Sequence, residues 1–383
     1  MRRSTLRTAV AVVTAGLTLT ACGSDDGGTG GSGGATGGDA ATAISAEAFG
    51  GMDALVKAAQ KEGTLNVIAL PPSWANYEAM LKTFGDKYKI KINSANPDGS
   101  SQDEVNAVSS QKGQDRAPDV LDLGTSFAKQ AAAQKLLAPY EVATWDDIPE
   151  NQKDADSQWY NDYGGFISIG CNASVVKKCP TSFEALLDPQ YKGQVALNGN
   201  PTQAAAAFSG VWAAALANGG SLDDIGPGID FFKKVKDAGN FNPVEVTPAT
   251  VQSGETPLAI DWDYVNAGLT KTLGADGVEW QVNVPSDGLF GSYYSQAISK
   301  FAPHPAAARL WEEFLYSDEG QNIWLKGLSR PVRLDAMTAA GTVDAEAVKG
   351  LPEVSGDVEF PTDEQQTAAQ KVVADRWNAE ISG

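Results

Sequence analysis

The sequence predicts an α/β protein made of two tandem α/β units, on three observations. Strand-like and helix-like patterns alternate from residue 64 to about 135, the same alternation returns over residues 194–264, and Gly or Pro marks the junctions. Such alternation argues for mainly parallel sheets, because parallel strands need a long crossover that a helix supplies.

Taken in order, residues 46–61 carry Phe49, Met52, Leu55, Val56 and Ala59 at helical spacing, and Gly63 stops the helix. Residues 64–70 read as a strand. Ser73 is a candidate N-cap for a helix bearing Tyr77, Met80, Leu81 and Phe84 and ending at Gly85. Residues 89–93 alternate like a half-buried strand, 102–111 form a polar helix, 119–123 a third strand, and Thr125-Ser126 opens another helix. In the second unit, 194–197 is a strand and Pro201 takes the first position of an Ala-rich helix over 202–216, stopped by Gly219-Gly220. Residues 257–260 form a strand that leads into Asp261-Trp262-Asp263-Tyr264. No internal repeat relates the two units.

The N-terminus has an export pattern. Arg2, Arg3 and Arg7 precede an apolar, small-residue stretch over 8–20 that is too short to span a bilayer. Leu19-Thr20-Ala21-Cys22 resembles the lipobox of bacterial lipoproteins, which implies cleavage before Cys22 and a lipid on its thiol. Residues 1–21 are then a signal peptide and 22–45, rich in Gly and Ser, a flexible tether reaching roughly 25–30 Å. The expected location is extracytoplasmic, lipid-anchored to the outer face of the cell membrane.

A formal charge of −19 disfavours nucleic acid and anionic lipid as partners and suits either a cationic ligand or solubility alone. His304, the single histidine, leaves no multi-His metal cage. No Walker loop or nucleophile elbow occurs, and no cofactor or metal is expected. Cys171 and Cys179, eight apart in an exported chain, suggest a local disulfide.

Three segments resemble bacterial extracellular solute-binding proteins. They are Glu62-Gly63-Thr64-Leu65-Asn66-Val67 with Ala117-Pro118-Asp119-Val120, the run from Pro180-Thr181-Ser182-Phe183 to Tyr191-Lys192-Gly193-Gln194-Val195, and residues 305–321. The subgroup resembled binds polyamines, aminoalkylphosphonates, thiamine or ferric ion. The resemblance implies a two-lobe periplasmic-binding-protein fold of type II. Each lobe is a mixed sheet flanked by helices, and two crossing segments near 161–165 and 289–294 join them. Lobe I is then 46–160 with 290–383, and lobe II is 161–289.

Ligands of open α/β sheets meet the loops after the strands. Those loops carry Ser73 and Trp74, Ser126, Asn198 and Asn200, and Asp261, Trp262, Asp263 and Tyr264. Carboxylates pair an ammonium and aromatic faces attract it. In an extended stretch Asp261 and Asp263 share a face. The same residues also suit helix capping, turns and core packing. Tyr293 is the candidate at the second crossing beside Tyr294. Only one Tyr follows the lobe II strand, where the ferric subgroup carries a pair. Arg330 and Arg333 suit either a phosphonate clamp or surface ion pairs.

The reading is a monomeric solute-binding lipoprotein, not an enzyme. It captures a small, ammonium-bearing ligand, a polyamine or aminoalkylphosphonate, and delivers it to the permease of an ABC importer. The alternatives are ferric-ion or thiamine binding on the same fold, a secreted hydrolase using Asp261 and Asp263, and a surface adhesin. The lipobox generates the first test: Cys22→Ser should move the protein from the membrane fraction to the medium, and unchanged fractionation with a free Cys22 thiol would count against the anchor.

Overall fold

Residues 39–354 and 360–382 are described in a computed structural model; the expected signal peptide and the expected lipidation site, Cys22, lie outside the described residues. Along the chain, α1 (Ala46–Phe49) and α2 (Met52–Glu62) precede β1 (Thr64–Ile68), α3 (Tyr77–Tyr88), β2 (Lys91–Ala95), α4 (Ser101–Ser110), β3 (Val120–Gly124), α5 (Thr125–Ala133) and β4 (Leu137–Ala138). A long strand, β5 (Tyr160–Asn172), opens a second series: β6 (Val195–Leu197), α6 (Ala205–Ala217), α7 (Gly226–Asp237), β7 (Phe241–Asn242), α8 (Pro248–Gln252), β8 (Leu258–Trp262), α9 (Asp263–Gly274) and β9 (Trp280–Asn283). The chain then returns through β10 (Gly291–Ser299), α10 (Pro305–Leu315), α11 (Asp318–Lys326), β11 (Arg330–Pro331), α12 (Leu334–Ala340), α13 (Ala345–Val348) and α14 (Asp363–Trp377).

β5 organises the sheet. Its first half pairs antiparallel with β10 (Gln296 opposite Tyr160, Gly291 opposite Phe166) and with β11 at Gly164 and Tyr163. Its second half pairs with β8 (Trp262 opposite Ile167, Leu258 opposite Cys171) and with β9. Beyond β10 lies β3, and beyond β8 lie β6 and β7, the last two joined in parallel. β1 and β2 form a separate parallel pair beside β3, tied to it where the Asn66 amide donates to Asp119 Oδ2 (2.6 Å). The large sheet is therefore mixed, because β5 and β10 run against their neighbours.

The helices cover this frame. α6 is buried all along residues 205–215, where Ala, Gly and Ser around Phe208, Val211 and Trp212 let its backbone sit close to its neighbours. Trp212 on it stacks on Phe290 at 5.2 Å. α10 buries Trp311 and Phe314 against Phe84 of α3. The two series also meet at the rim: the Gln102 amide donates to the Gln203 carbonyl, and Gly124 abuts Ala205 so closely that a Cβ on Gly124 would fall 2.3 Å from the Ala205 Cβ. Among the described residues no helix is long and apolar enough to cross a membrane.

Several expectations shift. The helix over 46–61 is two helices, because Gly50 and Gly51 adopt positive φ between them. Ser73 caps nothing: α3 starts at Tyr77, after Ala75 and Asn76 in left-handed conformations, and runs through Gly85 to Tyr88. Pro201 lies in a turn, and α6 begins at Ala205. The tether does not extend to residue 45, since Arg309 donates to the carbonyls of Ala41 and Ala43 and the Glu141 amide to that of Ile44. Nor does everything after residue 290 stay with the first series. Trp377 of α14 packs on Phe232 and Phe241, and Arg376 pairs with Asp230 at 2.6 Å, all on α7 and β7.

Cys171, at the buried end of β5, is bonded to Cys179 across a turn that Asn172 stabilises by accepting from the Ser174 amide. Closing so short a loop stabilises by about 2 kcal/mol. The double variant Cys171→Ala, Cys179→Ala should lose about that much in urea unfolding, with an unchanged m-value; a loss below a few tenths would mean that the turn holds itself.

Candidate functional site

Loops following β1, β2, β6 and β7, the strands β3 and β8 and the helices α4, α6 and α9 line a cavity of about 220 Å³ between the two series. The four loops lie beyond the C-terminal ends of their strands, where backbone groups and helix starts are left free for a ligand.

On the first side stands Asp122. It sits in β3, every residue of which is buried, so its carboxylate is forced into a dry setting. Oδ2 accepts from the hydroxyls of Tyr77 and Tyr163, both at 2.7 Å, while no protein group bonds Oδ1. Burial pushes this carboxyl up to about 7, although both phenols pull the other way. Glu104, on α4, accepts from the Asp122 amide at 2.9 Å and is raised well above the usual carboxylate range by burial and then by the charge of Asp122. Behind them, Asp162 accepts from Gln296 Nε2 (2.9 Å) and is also raised by burial and by Asp122.

Asp261 faces the cavity from the second side. As part of β8 rather than a loop it is almost fully buried, with Oδ2 accepting from Asn198 Nδ2 (2.8 Å) and Oδ1 from the Trp262 amide (2.7 Å). Burial raises it to about 7 against the pull of those two bonds. An aromatic wall joins the sides. Trp74, half-buried, donates from Nε1 to the Tyr163 hydroxyl (2.8 Å) and meets Tyr264 and Tyr294 edge-on at 5.8 and 5.7 Å.

Of the residues expected from sequence, Ser73, Trp74, Asn198 and Asp261 line the cavity. Trp262 and Tyr264 lie buried behind its wall, stacked on each other at 6.2 Å. Asp263 does not share a face with Asp261. The strand ends at Trp262 and the turn into α9 swings Asp263 towards β5, where it accepts from the Phe166 amide (2.9 Å) and from Arg330 Nη1 (2.7 Å). Gly165 leaves the room for this, as a Cβ there would strike Asp263 Oδ1 at 2.3 Å. Burial raises the Asp263 carboxyl, and Arg330 opposes the rise. Ser126 is buried at the start of α5 outside the main cavity, Asn200 closes a turn onto Thr202, and Tyr293 lines a separate cavity while its neighbour Tyr294 faces the main one. Arg333 is held by Asp147 and Asp318, away from the site. Sequence reasoning missed Glu104, Asp122 and Tyr294. A carboxylate inside the apolar run Val120-Leu121-Asp122-Leu123 was the available signal.

Five carboxylates, of Asp98, Glu104, Asp122, Glu245 and Asp261, line the cavity, and no Lys, Arg or His does so among the described residues. Nor does any group of three His, Cys, Asp or Glu side chains among them form a metal site.

The sequence profile of the family described as bacterial extracellular solute-binding protein matches residues 115–353. No curated protein matches the chain. Among solved structures, the periplasmic binding protein AfuA from Actinobacillus pleuropneumoniae, with exogenous fructose-6-phosphate bound, aligns at a TM-score of 0.65 and 20% identity over 83% of this chain and 99% of its own. The ferric binding protein from Campylobacter jejuni aligns at 0.61 and 20%, over 83% and 99% of the two chains. A putative spermidine/putrescine ABC transporter from Listeria monocytogenes aligns at 0.58 and 12%, over 83% and 99%. At such identities the likeness is one of fold, and it is the periplasmic-binding-protein fold expected from the sequence.

A buried carboxylate titrating near 7 destabilises the ligand-free protein. Its folded pKa lies above the unfolded value of 3.8, so the native state holds a proton the unfolded chain has lost, and stability falls as pH rises from about 4 to about 7. Asn fits the same bonds if the Asn198 amide turns over. Ligand-free Asp261→Asn should therefore melt higher than wild type at pH 8, the gap closing towards pH 4; a lower melting temperature at pH 8 would refute the argument.

Proposed function

The chain belongs to the bacterial extracellular solute-binding protein family, and from that premise we propose that it is the capturing lipoprotein of an ATP-driven importer, with a small ammonium-bearing ligand. The observation that carries this reading is the cavity wall of five carboxylates without a counter-charge among the described residues. A positive ligand favours the ionised form of these groups, whereas an anion opposes it. Trp74 and Tyr294 supply faces that attract an ammonium by about 0.5–2 kcal/mol each.

The plain amine is favoured over the aminoalkylphosphonate. A phosphonate needs cationic donors, and Arg330 and Arg333 are both engaged in ion pairs elsewhere. Binding is favoured over hydrolysis by Asp261 and Asp263, because the two carboxyl groups look into different surroundings and cannot act on one bond as acid and base.

In the proposed cycle the first and second series act as lobes, hinged where β5 and β10 cross between them. Ligand contacts to Asp122 on one side and Asp261 on the other stabilise the closed form, which the permease accepts. Cys22 supplies the membrane anchor.

Removing one partner of a buried charge pair costs about 2–5 kcal/mol. Asp261→Asn should thus weaken binding of 1,4-diaminobutane by tens- to thousands-fold in titration calorimetry, since about 1.4 kcal/mol is tenfold. Together with the higher melting point of the free variant, that outcome separates a lost contact from a lost fold. Equal affinity in variant and wild type would exclude Asp261 as an ammonium site.

A further inference from the structure

We infer that the Asp122 side of the cavity is a second ammonium subsite that works by exchange: the ligand's positive charge replaces a proton held among Asp122, Glu104 and Asp162. The inference rests on the amine-binding reading above and goes beyond it, since that reading assigns no proton to the Asp122 cluster.

The geometry is specific. Asp122 is 5% exposed and lines the cavity, and its Oδ1 has no protein partner while Oδ2 has two. Oδ1 is the carboxylate atom left without a bond, and so the acceptor open to an N–H donor that enters beside Asp122. Glu104 is bonded to the same residue's amide, and Asp162 lies beyond Tyr163. The groups around Asp122 from the surrounding elements are Tyr77 from α3, Glu104 from α4, Asp162 and Tyr163 from β5, Tyr264 from α9, Tyr294 from β10, Glu312 from α10 and Tyr316 just after it, with Asp261 of β8 lining the same cavity. All are acids or phenols. β1 and α6 bring no titratable side chain, and Lys129 of α5 lies over the Trp159 ring.

Buried carboxylates with no cation among them cannot all ionise, because each desolvated charge raises the next. The burial that holds Asp122 near 7 and lifts Glu104 and Asp162 expresses this. The empty site therefore keeps a proton on the cluster. When an ammonium enters, Asp122 becomes the carboxylate that binds it, and the proton passes to water: one carboxylic acid and one free cation yield one ion pair and one solvated proton. Binding favours the ionised form, so affinity rises with pH until the empty site has itself lost the proton. Below pH 7 the slope is up to about tenfold per pH unit for each proton released.

The experiment is titration calorimetry of 1,4-diaminobutane into the full chain at pH 6 and pH 8, in buffers of different ionisation enthalpy. At pH 6 the heat should depend on the buffer, with net proton release that shrinks at pH 8. Asp122→Asn keeps an acceptor for the two phenols, and should release about one proton fewer at pH 6 and bind more weakly. Binding with no buffer dependence overturns the exchange and leaves the amine reading standing. Release that is undiminished in Asp122→Asn overturns the assignment to this cluster. If neither the diamine nor a longer polyamine binds at either pH, the amine reading falls and the inference falls with it.

Discussion

A single strand with two sets of neighbours holds this molecule together. β5 bonds to β10 and β11 through its first half and to β8 and β9 through its second, so both series of elements are registered against one backbone. The site inherits that registration. Tyr163 reaches Asp122, the Phe166 amide fixes Asp263, and Ile167 sets the position of Trp262. A shift of register in β5 would turn each of these to the opposite face of the sheet.

The site is built against stability. Two carboxylates facing the cavity are held near 7 by burial, and the bonds they accept are too few to restore ordinary acidity. Asp263 shows the contrast. It is as deeply buried, but its partner Arg330 sits on β11, lies over the Phe166 ring and spends another donor on the Pro352 carbonyl. That pair belongs to the framework. Similar residues in adjacent positions thus have opposite roles, and the difference lies in whether the protein supplies the counter-charge.

Much of the fold was legible because periodicity survives in single elements: β1, β3, β6 and β8 lie within a few residues of their expected positions. What blurred their edges were local conformations with no strong sequence mark, such as Ala75 and Asn76 at positive φ before α3. The site was legible by half. Ser73, Trp74, Asn198 and Asp261 could be placed because loops after strands gather at one rim. Glu104 could not, since a carboxylate in a polar helix looks solvated until the packing around it is known, and the one mark of Asp122 was its place inside an apolar run. Asp263 was misjudged for a related reason: its partner is 67 residues away.

The contact of Gly124 with Ala205 has a mechanical meaning. Both lie at helix starts on opposite walls, and neither offers more than a methyl group to the other. In the proposed closing of the two series they would form a doorstop of minimal thickness, setting how far the mouth shuts. A bulkier side chain at Gly124 would wedge the jaws apart without touching any cavity carboxylate, leaving the chemistry of recognition intact but its grip incomplete.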